Sequence, residues 1–73
     1  MRVTVTAKGH VADRLPGPVE VELPDGAGPG EAARAAGLPA LSYVYVVNGT
    51  ALARGARLRD GDRLWLYPPS AGG

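Results

Sequence analysis

The segment Arg63-Leu64-Trp65-Leu66-Tyr67-Pro68-Pro69 predicts a strand that ends at two prolines. Its aromatic and large apolar residues favour a strand, whereas each proline fixes φ at about −65° and removes an amide donor. The backbone is therefore expected to leave the sheet after Tyr67 in an extended direction. The residues that follow are Ser70, Ala71, Gly72 and Gly73. We expect them to form a thin, flexible tail from about residue 68, with the carboxylate of Gly73 as its reactive group.

The rest of the chain predicts strands on either side of one short helix. Strands are expected at about 2–7, 19–23, 43–47 and 50–52, from alternating or β-branched residues and from the favoured turn Asn48-Gly49. Residues 31–36 have the only strong helical propensity, with Pro29 suited to the first helical position and Gly37 to the left-handed stop. The helix is expected to pack a thin alanine face, Ala32, Ala35 and Ala36 with Leu38 and Leu41, onto a sheet. This order predicts a small α+β domain.

Size and composition bound the possible functions. A chain of 73 residues predicts one domain, 1–73, with a small core. A net charge of +1 disfavours nucleic acid as a partner. There is no cysteine for a disulfide, a thiolate metal site or a persulfide. No continuous apolar segment predicts a membrane span or targeting peptide, and we expect a cytoplasmic protein.

Alternation in the later strands predicts two different sheet faces. If Val44, Val46, Leu64 and Leu66 face the helix, the opposite face carries Tyr43, Tyr45, Val47, Trp65 and Tyr67. Aromatic residues on an otherwise uncovered sheet face are typical of a protein interface. The alternative is cross-strand aromatic pairing that only stabilises the sheet.

Other local patterns do not predict a catalytic or metal site. The glycine-rich segment 26–30 precedes a helix, but Pro29 removes a donor that a bound phosphate would need, and the Gly-Lys-Ser/Thr signature is absent. His10 has no accompanying ligands, and Asp60 and Asp62 are interpreted as turn residues. The arginines at 54, 57, 59 and 63 are interpreted as a solvated edge, with an acidic patch on a partner as the alternative.

The segments Val46-Val47-Asn48-Gly49 and 58–69, with the closing Ala71-Gly72-Gly73, resemble the MoaD/ThiS family of ubiquitin-like sulfur carriers. The resemblance implies a β-grasp fold, with a mixed sheet of four to five strands and one helix on one face. It also implies a non-catalytic carrier whose Gly73 is adenylated by a MoeB/ThiF-like enzyme of the ubiquitin-activating type and then converted to a thiocarboxylate. ATP would be used by that enzyme, and this chain would bind no cofactor or metal.

The paired prolines favour the MoaD branch, in which the large subunit of molybdopterin synthase accepts the sulfur. The resemblance implies partner contacts for the predicted aromatic face together with Ala51, Pro68 and Pro69. A ThiS-type thiamine carrier, or a carrier for another sulfur metabolite, is an alternative within the family. A protein tag that forms an isopeptide bond with a lysine and a non-covalent β-grasp interaction module are alternatives of other classes.

Overall fold

The computed structural model describes residues 1–39, 42–53 and 55–69. Segments with alternating apolar residues form most of its sheet. The strands are β1 (Arg2–Ala7), β2 (Val19–Glu22), β3 (Val44–Val47), β4 (Thr50–Ala51) and β5 (Arg63–Tyr67). Helix α1 spans Pro29–Ala35, and a 3-10 helix spans Gly9–Asp13. The predicted strands are confirmed within one residue at either end. The 3-10 helix occupies part of a connection whose form the sequence left open.

The five strands form one mixed sheet in the order β2-β1-β5-β3-β4. β5 lies in the centre, parallel to β1 and antiparallel to β3, while β1–β2 and β3–β4 are antiparallel hairpins. The first and last strands of the chain are thus neighbours. Residues 68 and 69 consequently leave the sheet beside the end of β1.

The core lies between one face of the sheet, called the inner face, and α1. Val3, Val5, Leu64 and Leu66 are fully buried there. The buried side chains of α1 are small, Ala32 and Ala33. A helix with such a thin apolar face leaves space that larger side chains of the sheet have to fill.

Helix α1 begins and ends as its sequence predicts, but its buried face differs by one position. Pro29 is the first helical residue, and the Glu31 carboxylate accepts a hydrogen bond of 3.2 Å from the amide of Gly28. Gly37 has a φ of +88° at the C-terminal end. Ala32 is buried as predicted, but Ala33 and not Ala35 is buried with it. Position 35 lies on the far side of the helix from position 33, at about 100° per residue.

The prediction for the two faces of β3 is wrong. Tyr43 and Val47 are only 7% and 9% exposed and belong to the core, whereas Val44 is 45% exposed. Residues directly opposite in an antiparallel pair share a face, and Val47 lies opposite the buried Leu64. Tyr45, opposite the buried Leu66, is likewise on the inner face.

The thin alanine helix gives the physical reason for this arrangement. The rings of Tyr43 and Tyr45 lie on the inner face, with their centroids 6.0 Å apart in an edge-to-face contact. The Tyr43 hydroxyl reaches the rim of the core and donates a hydrogen bond of 2.7 Å to the carbonyl oxygen of Pro39. An aromatic ring with a polar tip can thus fill volume beside α1 without leaving its hydroxyl unsatisfied.

Candidate functional site

The face of the sheet opposite α1, called the outer face, carries a contiguous apolar region at its β5–β3–β4 side. Trp65 and Tyr67 of β5 are 41% and 36% exposed. They lie opposite Val46 and Val44, and Val46 also lies opposite Ala51 of β4. These five residues are called the outer apolar surface: Val44, Val46, Ala51, Trp65 and Tyr67. Trp65 and Tyr67 were predicted on this face, and Ala51 was expected as a partner contact. Tyr43, Tyr45 and Val47, which were predicted with them, belong to the opposite face.

The outer apolar surface contains a shallow groove of about 570 Å³. Its lining comprises Val44, Val46, Asn48, Gly49, Arg63, Trp65 and Tyr67. Asn48 and Gly49 close one end of the groove, and both have positive φ, +53° and +78°. The Asn48-Gly49 turn therefore makes one wall of the groove as well as joining β3 to β4.

The other half of the outer face is polar. Thr4 and Thr6 of β1 lie beside Arg63 and Trp65 of β5. Further out, the guanidinium of Arg2 donates a hydrogen bond of 3.0 Å to the carboxylate of Glu22. This hydrogen bond, with the negative charge of Glu22, raises the pKa of Arg2. The face therefore changes across β5 from apolar to polar and charged.

Lys8 contributes a contact that the sequence did not reveal. Its ammonium nitrogen, Nζ, lies 4.4 Å from the ring centroid of Trp65, a distance suited to a cation–π interaction. Lys8 is the only lysine of the chain. No sequence signal links positions 8 and 65, because the contact depends on the parallel pairing of β1 with β5. The lysine places a positive charge at the edge of the outer apolar surface.

Pro68, the first residue after β5, is half-buried. Its Cγ and Cδ atoms lie 3.0 Å from the place that a Cβ on Gly9 would occupy. Gly9 has a φ of +60°, a conformation that favours glycine. One residue earlier, the amide of Lys8 donates a hydrogen bond of 2.8 Å to the carbonyl oxygen of Leu66. The predicted start of the flexible tail at about 68 thus falls on a residue that contacts the folded domain, while Pro69 is exposed.

The predicted tail residues Ser70, Ala71, Gly72 and Gly73 lie outside the described residues. The described residues do show the point in the fold that precedes this tail. Tyr67 is the last residue of the central strand, and Pro68 and Pro69 extend beyond it without regular secondary structure. Two residues of the outer apolar surface, Trp65 and Tyr67, therefore lie on the strand that leads directly into the base of the tail.

Tyr45 lies on the inner face, where its side chain is partly buried. Partial burial raises the pKa of its phenol, and the nearby Tyr43 adds to the shift. Its hydroxyl oxygen lies 3.8 Å from the place that a Cβ on Gly30 would occupy. The ring of Tyr45 thus packs close to the surface of α1, and we assign Tyr45 a structural role.

The predicted turn role of the two aspartates is confirmed. A carboxylate oxygen of Asp60, Oδ1, accepts a hydrogen bond of 2.7 Å from the amide of Arg2, and Oδ2 of Asp62 accepts one of 2.8 Å from the amide of Arg59. Within residues 1–39, 42–53 and 55–69, no cluster of acidic, histidine or cysteine side chains could hold a metal ion. No helix of the same ranges has the length and apolar composition needed to span a bilayer.

No protein-family model and no curated protein sequence matches the chain. Solved structures do. The crystal structure of SAMP1 from Haloferax volcanii matches with a TM-score of 0.75 and 24% identity over 100% of both chains. A second crystal structure of this small archaeal modifier protein 1 matches with a TM-score of 0.75 and 21% identity, over 93% of this chain and 97% of that one.

A third match comes from the protein–protein complex of subunits 1 and 2 of the molybdopterin-converting factor of Helicobacter pylori. Its TM-score is 0.62 at 22% identity, and 100% of both chains is covered. At these identities the likeness concerns the fold. The mixed five-stranded sheet with one helix is the β-grasp arrangement of ubiquitin-like proteins, which confirms the predicted fold.

Proposed function

We propose that this β-grasp chain is a ubiquitin-like sulfur carrier, which a partner enzyme holds by its outer apolar surface while the carboxylate of Gly73 reacts. One observation carries the proposal. The central strand β5 presents Trp65 and Tyr67 on the outer face and continues directly into Pro68 and Pro69. A partner bound to the outer apolar surface would therefore lie next to Pro69, from which the last residues extend. An active site of the partner near that point could receive these residues.

The matched structures support a small ubiquitin-like carrier or modifier that works with a partner protein. Two of them are of a small archaeal modifier protein, and the third is of a complex between two subunits of a molybdopterin-converting factor. From the family resemblance, the proposed partners are a MoeB/ThiF-like adenylyltransferase and a sulfur-accepting enzyme, with the large subunit of molybdopterin synthase as the favoured acceptor. Both partners would use the same outer surface in turn.

The chemistry needs only a free terminal carboxylate on this chain. An oxygen of the Gly73 carboxylate attacks the α-phosphorus of ATP held by the partner. A new phosphorus–oxygen bond forms, and pyrophosphate leaves. Hydrosulfide, or the terminal sulfur of a persulfide, then attacks the acyl carbon, and AMP leaves with the electron pair of the broken carbon–oxygen bond. Hydrosulfide gives the thiocarboxylate directly, whereas a persulfide gives an acyl disulfide that a thiol must reduce.

Each part of the chain has a separate role in this scheme. The terminal carboxylate is ionised at neutral pH and supplies the nucleophile. Gly72 and Gly73 have no Cβ, so the enzyme can approach their backbone closely. The folded domain contributes binding energy and position, and it supplies no catalytic side chain. ATP is bound by the partner.

The test is the intact mass of the protein after incubation with the ubiquitin-activating-type enzyme of the same organism, ATP and sodium sulfide. Replacement of one oxygen by sulfur is the expected result. A variant with one alanine added after Gly73 is the matched control, because it keeps the fold but moves the carboxylate. Thiocarboxylate on the extended variant would show that the reactive group is assigned wrongly. The intact mass of the native protein measures whether Gly73 is its free end.

A protein tag is the second candidate, favoured by the fold likeness to a small archaeal modifier protein. Here the adenylate of Gly73 would be opened by the amine of a target lysine, forming an isopeptide bond as AMP leaves. The same assay in a cell extract without added sulfide separates the candidates. Lysine conjugates of higher mass support tagging, whereas thiocarboxylate without conjugates supports sulfur delivery.

A further inference from the structure

Lys8 and Gly9, the two residues that follow β1, make three contacts at the end of β5, each in a different direction. In the plane of the sheet, the amide of Lys8 donates a hydrogen bond of 2.8 Å to the carbonyl oxygen of Leu66. On the outer face, the Lys8 ammonium lies 4.4 Å from the centroid of Trp65. Beyond the end of β5, the ring of Pro68 lies against the backbone of Gly9.

The contact of Pro68 with Gly9 depends on the absence of a side chain. An added Cβ would be 3.0 Å from both Cγ and Cδ of the proline ring, closer than ordinary van der Waals contact. The proline ring cannot adapt as a flexible side chain could, so Pro68 would have to move by a few tenths of an ångström. Gly9 is also the first residue of the 3-10 helix, and its φ there is +60°. Gly9 thus meets two separate requirements, a positive φ and a close approach.

We propose that Gly9 is a positioning residue, which acts through Pro68 to set the place and direction from which the tail reaches the active site of the partner. This inference rests on the proposed function. A reaction between a docked carrier and ATP requires the carboxylate to arrive in line with the α-phosphorus, and small displacements from such a geometry reduce rates strongly. Neither Gly9 nor Pro68 belongs to the outer apolar surface, so their effect should fall mainly on the reaction within the complex.

The experiment compares Gly9→Ala with Gly37→Ala in adenylation by the same partner enzyme, measured as pyrophosphate release at varied carrier concentration. Gly37 is a matched control because its φ is +88° and nothing lies within 4 Å of the Cβ position. Both variants therefore place an alanine at a positive φ, which is the less favourable one at Gly37, and only Gly9→Ala displaces the proline. We expect Gly9→Ala to lower kcat about 10-fold or more with KM nearly unchanged, and Gly37→Ala to retain the wild-type kcat.

Pro68→Ala and the double variant test whether the effect passes through the proline. Pro68→Ala removes the ring without changing Gly9, so it remains informative if Gly9→Ala does not fold. It should also lower kcat, and adding Gly9→Ala to it should cause no further loss. A full additional loss in the double variant would overturn the inference, because Gly9 would then act elsewhere.

Three further outcomes count against the proposal in distinguishable ways. Equal losses for Gly9→Ala and Gly37→Ala would assign the effect to backbone strain. An unchanged kcat for Gly9→Ala, with normal activation of the wild type, would overturn the positioning role and leave the proposed function standing. Absence of activation of the wild type itself would overturn the proposed function and the inference together.

Discussion

Val46 and Trp65 lie directly opposite each other in the antiparallel β3–β5 pair, with both side chains on the outer face. Their neighbours along the two strands, Val44 and Tyr67, form the next opposed pair of that face. Cross-strand pairs of an aromatic with a β-branched residue stabilise a sheet by roughly 0.2–1 kcal/mol each. Such pairing does not require Trp65 to be 41% exposed, whereas the proposed docking of a partner would bury this exposed area.

Trp65→Ala is expected to weaken binding of the activating enzyme by about 30-fold, since buried tryptophans at interface centres contribute at least about 2 kcal/mol. The free energy of unfolding should change little, because Trp65 is 41% exposed and packs on the outer face. Calorimetric titration and urea unfolding measure the two quantities. Thr4→Ala, on the polar half of the same face, is the control and should bind normally. Equal effects of the two changes would exclude the outer apolar surface as the docking site.

Asn48 is expected to be replaceable by glycine but not by alanine. Its φ of +53° is a left-handed conformation that asparagine and glycine tolerate and alanine disfavours. Asn48→Ala should therefore destabilise the domain by about 1 kcal/mol, whereas Asn48→Gly should be close to neutral. Urea unfolding at neutral pH measures both. Equal stabilities of the two variants would show that the backbone conformation of this turn does not limit the fold.

Tyr45 is expected to make stability depend on pH in the alkaline range. Burial raises the pKa of its phenol above the ordinary 10.0, so the folded protein holds this proton more tightly than the unfolded chain. The resulting stabilisation is complete below 10.0 and is lost as the pH rises through the folded-state pKa. The stability advantage of the wild type over Tyr45→Phe should therefore shrink with pH, as urea unfolding across this range would show. A constant difference would contradict the prediction.

The strands and the helix could be predicted because their signals are local. β1 alternates cleanly between apolar and polar residues, and β5 alternates leucine with arginine or an aromatic residue. Pro29 and Gly37 mark the ends of α1, and Asn48-Gly49 marks a hairpin. The faces of β3 could not be predicted in this way. Every residue from 43 to 47 is apolar or aromatic, so the segment has no polar phase. Its orientation is set by the register against β5, which is a property of the folded sheet.

The residues of the candidate site likewise divide into those with a local sequence signal and those that only the folded sheet brings together. The exposed aromatic residues of β5 follow from alternation within one strand, and the diglycine is visible in the sequence. The contacts of Lys8 with Trp65 and of Gly9 with Pro68 join residues more than 50 positions apart. They arise because β1 and β5 are parallel neighbours, and parallel pairing between the two ends of a chain leaves no local pattern.

Val47→Ala and Val44→Ala apply one chemical change to the two faces of β3 and test their assignment. Val47 is 9% exposed on the inner face, and truncation there should cost about 2 kcal/mol of unfolding free energy through lost burial and a cavity. Val44 is 45% exposed on the outer face, and its truncation should stay within about 0.5 kcal/mol. Partner binding should show the reverse order, since only Val44 lies on the outer apolar surface. If Val44→Ala were the more destabilising change, β3 would face the helix as its sequence alone suggested, and the docking surface would have to be reassigned to Tyr43, Tyr45 and Val47.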